Sequence, residues 1–259
     1  MKTVRICLWS GPRNISTALM YSFAQREDTL VLDEPLYAHY LASSEKELVA
    51  RHPVAQVVLD TMENDGAKVV EMMMGEFPSE VVFFKNMTHH LLDLDRSFME
   101  GVVNVILTRD PVDMLPSFAK VIQDPTMADV GYEAHVELLE SLLTRGIEPI
   151  IIDSKNLLLN PREALTKLCD LAGIVFDERM LKWDAGARAE DGVWAEYWYS
   201  GTHQSTGFQK YLRKSEPFPN TLRPLLQACQ PCYDTLINRM NSLYAPGDLS
   251  GGGLMLICP

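Results

Sequence analysis

One stretch limits the fold of this chain more than any other: Arg5–Arg26, which reads RICLWSGPRNISTALMYSFAQR. A short apolar strand, Ile6–Trp9, runs into the polar loop Ser10–Thr17, and an apolar-periodic helix starts at about Ser16. A strand that turns through a tight loop into a helix N-terminus gathers backbone N–H groups and the positive end of the helix dipole at one point, which suits a phosphate. Arg13 adds a full charge there, and Ser16 and Thr17 add hydroxyl donors. The loop lacks the Gly-Lys-Ser/Thr ending of a Walker A site, which argues against ordinary Mg-ATP chemistry.

The rest of the chain supplies a sheet for that loop. Apolar runs recur at Val4–Trp9, Thr29–Asp33, Val81–Lys85, Val102–Thr108 and Pro149–Asp153, with helical patterns between them. The runs are continuous rather than alternating, as in strands covered on both faces. The expectation is an α/β fold: a doubly wound parallel sheet of about five strands flanked by helices, with ligands bound beyond the carboxyl ends of the strands. Helices are predicted at Ser16–Arg26, Val54–Met62, Ala67–Met74, Pro111–Gln123 and Tyr132–Thr144. A further helix starts at Asn160 as N-cap, with Pro161 in the first turn and Glu163 as the returning carboxylate, and closes at Gly173 in a left-handed cap. Ala185–Phe218, rich in aromatic and small polar residues, reads as a long lid, and Thr221–Tyr244 as a last helix broken near Pro231. Residues 1–245 are expected to form one domain and 246–259 a flexible tail.

Charge narrows the partners. A net charge of −12 speaks against a nucleic-acid surface, so an anionic ligand must be held by a local cluster. The apolar run after Lys2 and Arg5 is too short for a signal-peptide core, and no run approaches the ~20 residues of a membrane span, so the cytoplasm is the expected location. The five cysteines include a lone Cys229–Cys232 CxxC pair without a second pair or a histidine nearby, which reads as structural.

A second anion signal follows the fourth apolar run. Arg109 ends the strand, Asp110 is a good N-cap, Pro111 a good first helical residue, and Ser117 lies about two turns into the helix. An arginine at a strand tip and a serine on the adjoining helix can grip one phosphate from two sides.

Taken together, Gly11, Pro12, Arg13, Asn14, Ile15, Ser16 and Thr17 resemble the 5′-phosphosulfate loop of the P-loop sulfotransferases, and Arg109 with Ser117 resembles their 3′-phosphate motif. Ile152–Met180 is similar to that family's late strand, loop and helix, so the resemblance covers roughly residues 4–183. Within that family the chain resembles bacterial and plant proteins with a GPRNxSTAxMYSFAQR start. The resemblance implies a P-loop NTPase-like fold and transfer of a sulfuryl group from 3′-phosphoadenosine-5′-phosphosulfate (PAPS) to a hydroxyl or amine of a small molecule, without a metal. Two departures stand out. Asn14-Ile15 replaces a small Ser-Gly pair, and β-branched Ile15 resists positive φ, so a differently shaped loop or a weaker grip is expected. The family's Arg-Lys-Gly segment for the 3′-phosphate is missing, with Lys210 the available substitute.

Sulfuryl transfer requires positioning and electrostatic stabilisation of the leaving phosphate, a role that falls to Arg13. A general base must take the acceptor's proton. One candidate is Glu34, in Asp33-Glu34-Pro35 at the second strand's tip, where some sulfotransferases place a catalytic Glu. The other is His89 or His90, four and five residues beyond Lys85, near the position of the family's Lys-Thr-His; Lys85 itself could reach the sulfuryl oxygens. Trp183, Trp194, Trp198 and Tyr199 either stack on ligand or pack the lid on the core. Two other readings are a degenerate P-loop small-molecule kinase and a non-catalytic nucleotide-binding protein.

Overall fold

The computed structural model describes residues 3–212 and 216–244. Five strands, β1 (Val4–Ser10), β2 (Thr29–Asp33), β3 (Val81–Met87), β4 (Val103–Thr108) and β5 (Ile150–Asp153), form one sheet in the order β2-β3-β1-β4-β5. All four pairings are parallel. This is the doubly wound, P-loop NTPase-like arrangement expected from the unbroken apolar runs.

The core lies on both faces because successive strand residues point opposite ways. Ile6, Leu8, Phe83 and Leu107 pack on one side under Leu19 and Phe23 of helix Ser16–Phe23 and Leu165 and Leu168 of helix Pro161–Ala172. Cys7, Trp9, Phe84 and Ile106 pack on the other under Val69 and Met73 of helix Gly66–Met74, Leu138 and Leu142 of helix Tyr132–Thr144, and Leu236 of helix Arg223–Tyr244. Strand register then levels the tips: Ser10 is opposite Met87 and Leu107, Asp33 opposite Lys85, and Thr108 opposite Asp153. Every loop carrying candidate chemistry leaves the sheet at the same end.

Four local expectations are corrected. The last helix is not broken: it runs continuously through Pro231, with Cys229 and Leu236 buried on either side of it. That packing outweighs the single hydrogen bond a proline removes. Asn160 caps no amide through its side chain, because it also ends helix Ser154–Leu159, its own N–H bonded to Asn156 O. Helix Pro111–Phe118 stops at its last buried residue, short of Gln123, and the chain goes on in turns. Ala185–Phe218 is a long connection, as expected, but holds one-turn helices at Ala195–Trp198 and Ser200–His203. Gly173 does close its helix at φ 72°. The tail expected at 246–259 lies outside the described residues. No described helix is long and apolar enough to cross a membrane.

Candidate active site

Beyond the tips of β1–β4 is a cavity of about 500 Å³, lined by the first loop, Glu34, Lys85, His89, His90 and Arg109, and closed by residues of the 194–212 segment. The first loop takes the shape needed to line it at a local cost. Arg13 (φ 59°) and Ile15 (φ 64°) are both left-handed. The expected resistance of Ile15 is thus overcome; a β-branched residue in this region stores about 1–3 kcal/mol that the surrounding contacts must hold.

Those contacts are specific. Arg109 Nη1 donates to Arg13 O at 2.7 Å. The Ser154 hydroxyl lies 2.9 Å from Asn14 O and 2.7 Å from Thr108 O, its one proton shared between them. Asn14 Nδ2 donates to Leu107 O at 3.1 Å. In a trans peptide the N–H opposes the C=O, so the amides of Asn14 and Ile15 point away from Arg109 and Ser154. Two loop carbonyls, which would repel an anion, are held from behind. Ser16 and Thr17, both buried, open the helix at the loop's end.

The two candidate anion grips are neighbours. β1 pairs with β4, and Arg13 Nε donates to Ser117 Oγ at 3.2 Å. Arg13, Arg109 and Ser117 therefore converge, as do Gly11, Pro12, Asn14, Ile15, Ser16 and Thr17 around them. Among the described residues neither guanidinium is paired with a carboxylate. Burial and the Arg109 charge both hold Arg13 below the usual arginine range. Two adjacent guanidiniums that pair with no carboxylate among the described residues are suited to an anion. Lys210, by contrast, is exposed at the rim of the cavity.

The second group sits at the tips of β2 and β3. Glu34 has φ 45° just before Pro35, a backbone state disfavoured twice over. Its N–H bonds to Lys85 O at 2.7 Å, carrying the ladder one residue past β2 and fixing the side chain over the cavity. The buried Lys85 ammonium faces two carboxylates, Asp33 Oδ1 at 2.8 Å and Glu34 Oε1. Burial opposes its charge, yet the two carboxylates together raise Lys85 above the ordinary lysine value. Burial also raises Glu34 above the ordinary carboxylate range, with Lys85 opposing. Glu34 Oε2 is 4.0 Å from His90 Nε2.

The histidines form an uncharged aromatic wall. His90 stacks on Tyr37 (centroids 5.1 Å apart) and Tyr40 (4.7 Å), and His89 meets Tyr40 edge-on at 4.9 Å. Burial lowers His89 to about 4 and puts His90 well below its usual value. Trp183, Trp194 and Tyr199 are buried and pack the late segment on the core, while Trp198 lines the cavity. Sequence reasoning missed Ser154 altogether, and named Asp33 and Tyr199 without the polar contacts they make here; for Ser154 the available signal was a hydroxyl directly after the last strand, at the level of the first loop.

Comparison with known proteins gives the chain's family. The family described as "Sulfotransferase domain" matches residues 4–240. Two Arabidopsis thaliana proteins, "Branched-chain-amino-acid aminotransferase-like protein 2" and "Branched-chain-amino-acid aminotransferase-like protein 1", are 40% and 39% identical over 230 residues, 88% of this chain. The chain spans only 40% of the length of these relatives. Among solved structures, "Sulfotransferase Domain from the Curacin Biosynthetic Pathway" shares the fold at a TM-score of 0.51 and 15% identity, covering 88% of this chain and 98% of that one.

Proposed function

We propose a function from one premise: the chain belongs to the sulfotransferase domain family. It transfers a sulfuryl group from PAPS to a hydroxyl or amine of a small molecule. The observation that carries this reading is the 2.7 Å contact of Arg109 with the Arg13 carbonyl, which puts in one cavity, at the head of a strand–loop–helix, two guanidiniums that pair with no carboxylate among the described residues. The loop amides, Ser16, Thr17 and Arg13 would hold the 5′-phosphosulfate, and Arg109 with Ser117 the 3′-phosphate. The bound donor supplies the sulfuryl group, released as the bridging oxygen leaves on the 5′-phosphate and the acceptor oxygen or nitrogen bonds to sulfur.

The chain's residues do the remaining work. Arg13 and the helix N-terminus stabilise the charge that grows on the leaving phosphate. Glu34 takes the acceptor's proton. Its Oε1 is held by Lys85, which leaves Oε2 for the acceptor, and burial moves its proton affinity toward neutral pH. His89, held at about 4, is a weaker base at neutral pH and serves in the wall that seats the acceptor. Tyr37, Tyr40 and the neutral histidines favour an uncharged acceptor body.

Glu34→Gln tests the assignment. The variant keeps its affinity for adenosine 3′,5′-bisphosphate (PAP) and loses about 10²–10⁴-fold in turnover, measured as PAP release from PAPS with a panel of alcohols, phenols and amines. Turnover within about threefold of the native rate refutes the role of Glu34.

A further inference from the structure

Lys85 has three N–H bonds and three acceptors. Its ammonium donates to Asp33 Oδ1 at 2.8 Å, to Tyr199 Oη at 2.6 Å and to Glu34 Oε1. All three are committed inside the protein, so none is left for a sulfuryl oxygen. Tyr199 is the hub of the arrangement. Its hydroxyl accepts from Lys85 and from Trp194 Nε1 at 2.9 Å, and its own proton goes to Asp33, with Oδ2 at 2.8 Å. Asp33 Oδ2 also accepts the Gly192 N–H at 3.0 Å.

These donors come from two different parts of the chain. Asp33, Glu34 and Lys85 are fixed at the tips of β2 and β3. Gly192, Trp194 and Tyr199 belong to the late segment whose Trp198, Gly201 and Ser205 close the cavity. The network is therefore the seam between that segment and the sheet.

We propose that Tyr199 and Lys85 are positioning residues that tie the seating of the late segment to the charge on Glu34; the proposal rests on Glu34 acting as the base. Two carboxylates compete for one ammonium. Tyr199 and Gly192 feed donors to Asp33, so Asp33 draws less on Lys85 and more of the ammonium serves Glu34. Lifting the segment removes those donors together. The ammonium then shifts to Asp33, and Glu34 takes up a proton and can no longer accept one. The base is competent only when the cavity is closed, which protects a reactive donor from water. The other titratable groups facing Glu34 are Tyr37, from the helix after it, and His90, from the turn after β3. Burial keeps both neutral, so neither supplies the charge that Lys85 does.

Carbon-13 NMR of the full chain, labelled at the Glu side-chain carboxyls, reads the Glu34 titration directly, with its signal assigned by its loss in Glu34→Gln. Tyr199→Phe raises the midpoint by about one pH unit. Asp33→Asn, which releases the ammonium to Glu34, lowers it by a similar amount. Opposite shifts support the proposal. A midpoint unmoved by Tyr199→Phe, or moved the same way by both variants, overturns it. Amide spectra establish that each variant is folded. Trp194→Phe, which removes one donor to the hydroxyl, raises the midpoint by a smaller amount and carries the test if Tyr199→Phe does not fold; no shift there overturns the proposal as well. Calorimetry with PAP on the same samples separates the two claims: native protein that fails to bind PAP overturns the transfer reading, while the ligand-free titrations still decide the coupling.

Discussion

Replacing Lys85 by methionine removes the ammonium that faces Asp33 and Glu34 and leaves a side chain of similar length. The Lys85 and Asp33 side chains are 1% exposed and Glu34 9%, so water cannot take the ammonium's place. Breaking a buried ion pair by removing one partner costs about 3–5 kcal/mol. For a domain of this size each kcal/mol moves the melting temperature by about 2–4 °C, which gives a drop on the order of 10 °C. The sign of the pH dependence follows from linkage. In the variant Glu34 keeps the burial that raises it and loses the ammonium that opposes it, so it titrates higher in the folded state than in the unfolded chain, the fold binds more protons and stability rises as pH falls. Scanning calorimetry of native and variant protein at pH 7 and pH 5 measures both effects, and the deficit at pH 7 should shrink at pH 5. A drop of less than about 2 °C, or an equal deficit at both pH values, refutes the description of Lys85 as the charge partner of two buried carboxylates.

Two further outcomes follow from neighbouring residues. Ser154→Ala leaves the Asn14 and Thr108 carbonyls without their shared donor, so it costs about 1–3 kcal/mol in chemical denaturation and weakens PAP binding by roughly tenfold, read by calorimetry. His135 is buried under Gly11 with neither ring nitrogen hydrogen-bonded among the described residues, and burial lowers it from the ordinary 6.5 to about 3. Its depressed value means that stability present above pH 6.5 is lost as pH falls, about 2 kcal/mol by pH 5; His135→Leu abolishes that part of the acid sensitivity, as urea midpoints at the two pH values will show.

How much of this was legible beforehand depends on the range of the interactions. The sheet was readable because β1, β3 and β4 are buried on both faces and need unbroken apolar runs. The strand–loop–helix and the strand tip at Arg109 were readable because their signals, a strand end, a cap and a helix start, are local. Ile15 misled because propensity is local: φ 64° there is imposed by bonds from Arg109, Ser154 and Asn14, which reach across 93–140 residues of sequence. The Asn160 cap failed for a similar reason, since the same residue was needed to end the preceding helix. Tyr199 was visible only as one aromatic residue among several. Its role as hub comes from Asp33, 166 positions away, a pairing that no periodicity encodes.

The central claim is that one nucleotide with phosphates at both ends bridges the first loop and Arg109. Isothermal titration of the native chain with PAP in buffer containing EDTA tests it most directly. The account predicts saturable one-to-one binding that Arg13→Ala and Arg109→Ala each weaken by at least about tenfold. Absence of binding at millimolar PAP, or binding indifferent to both substitutions, contradicts it.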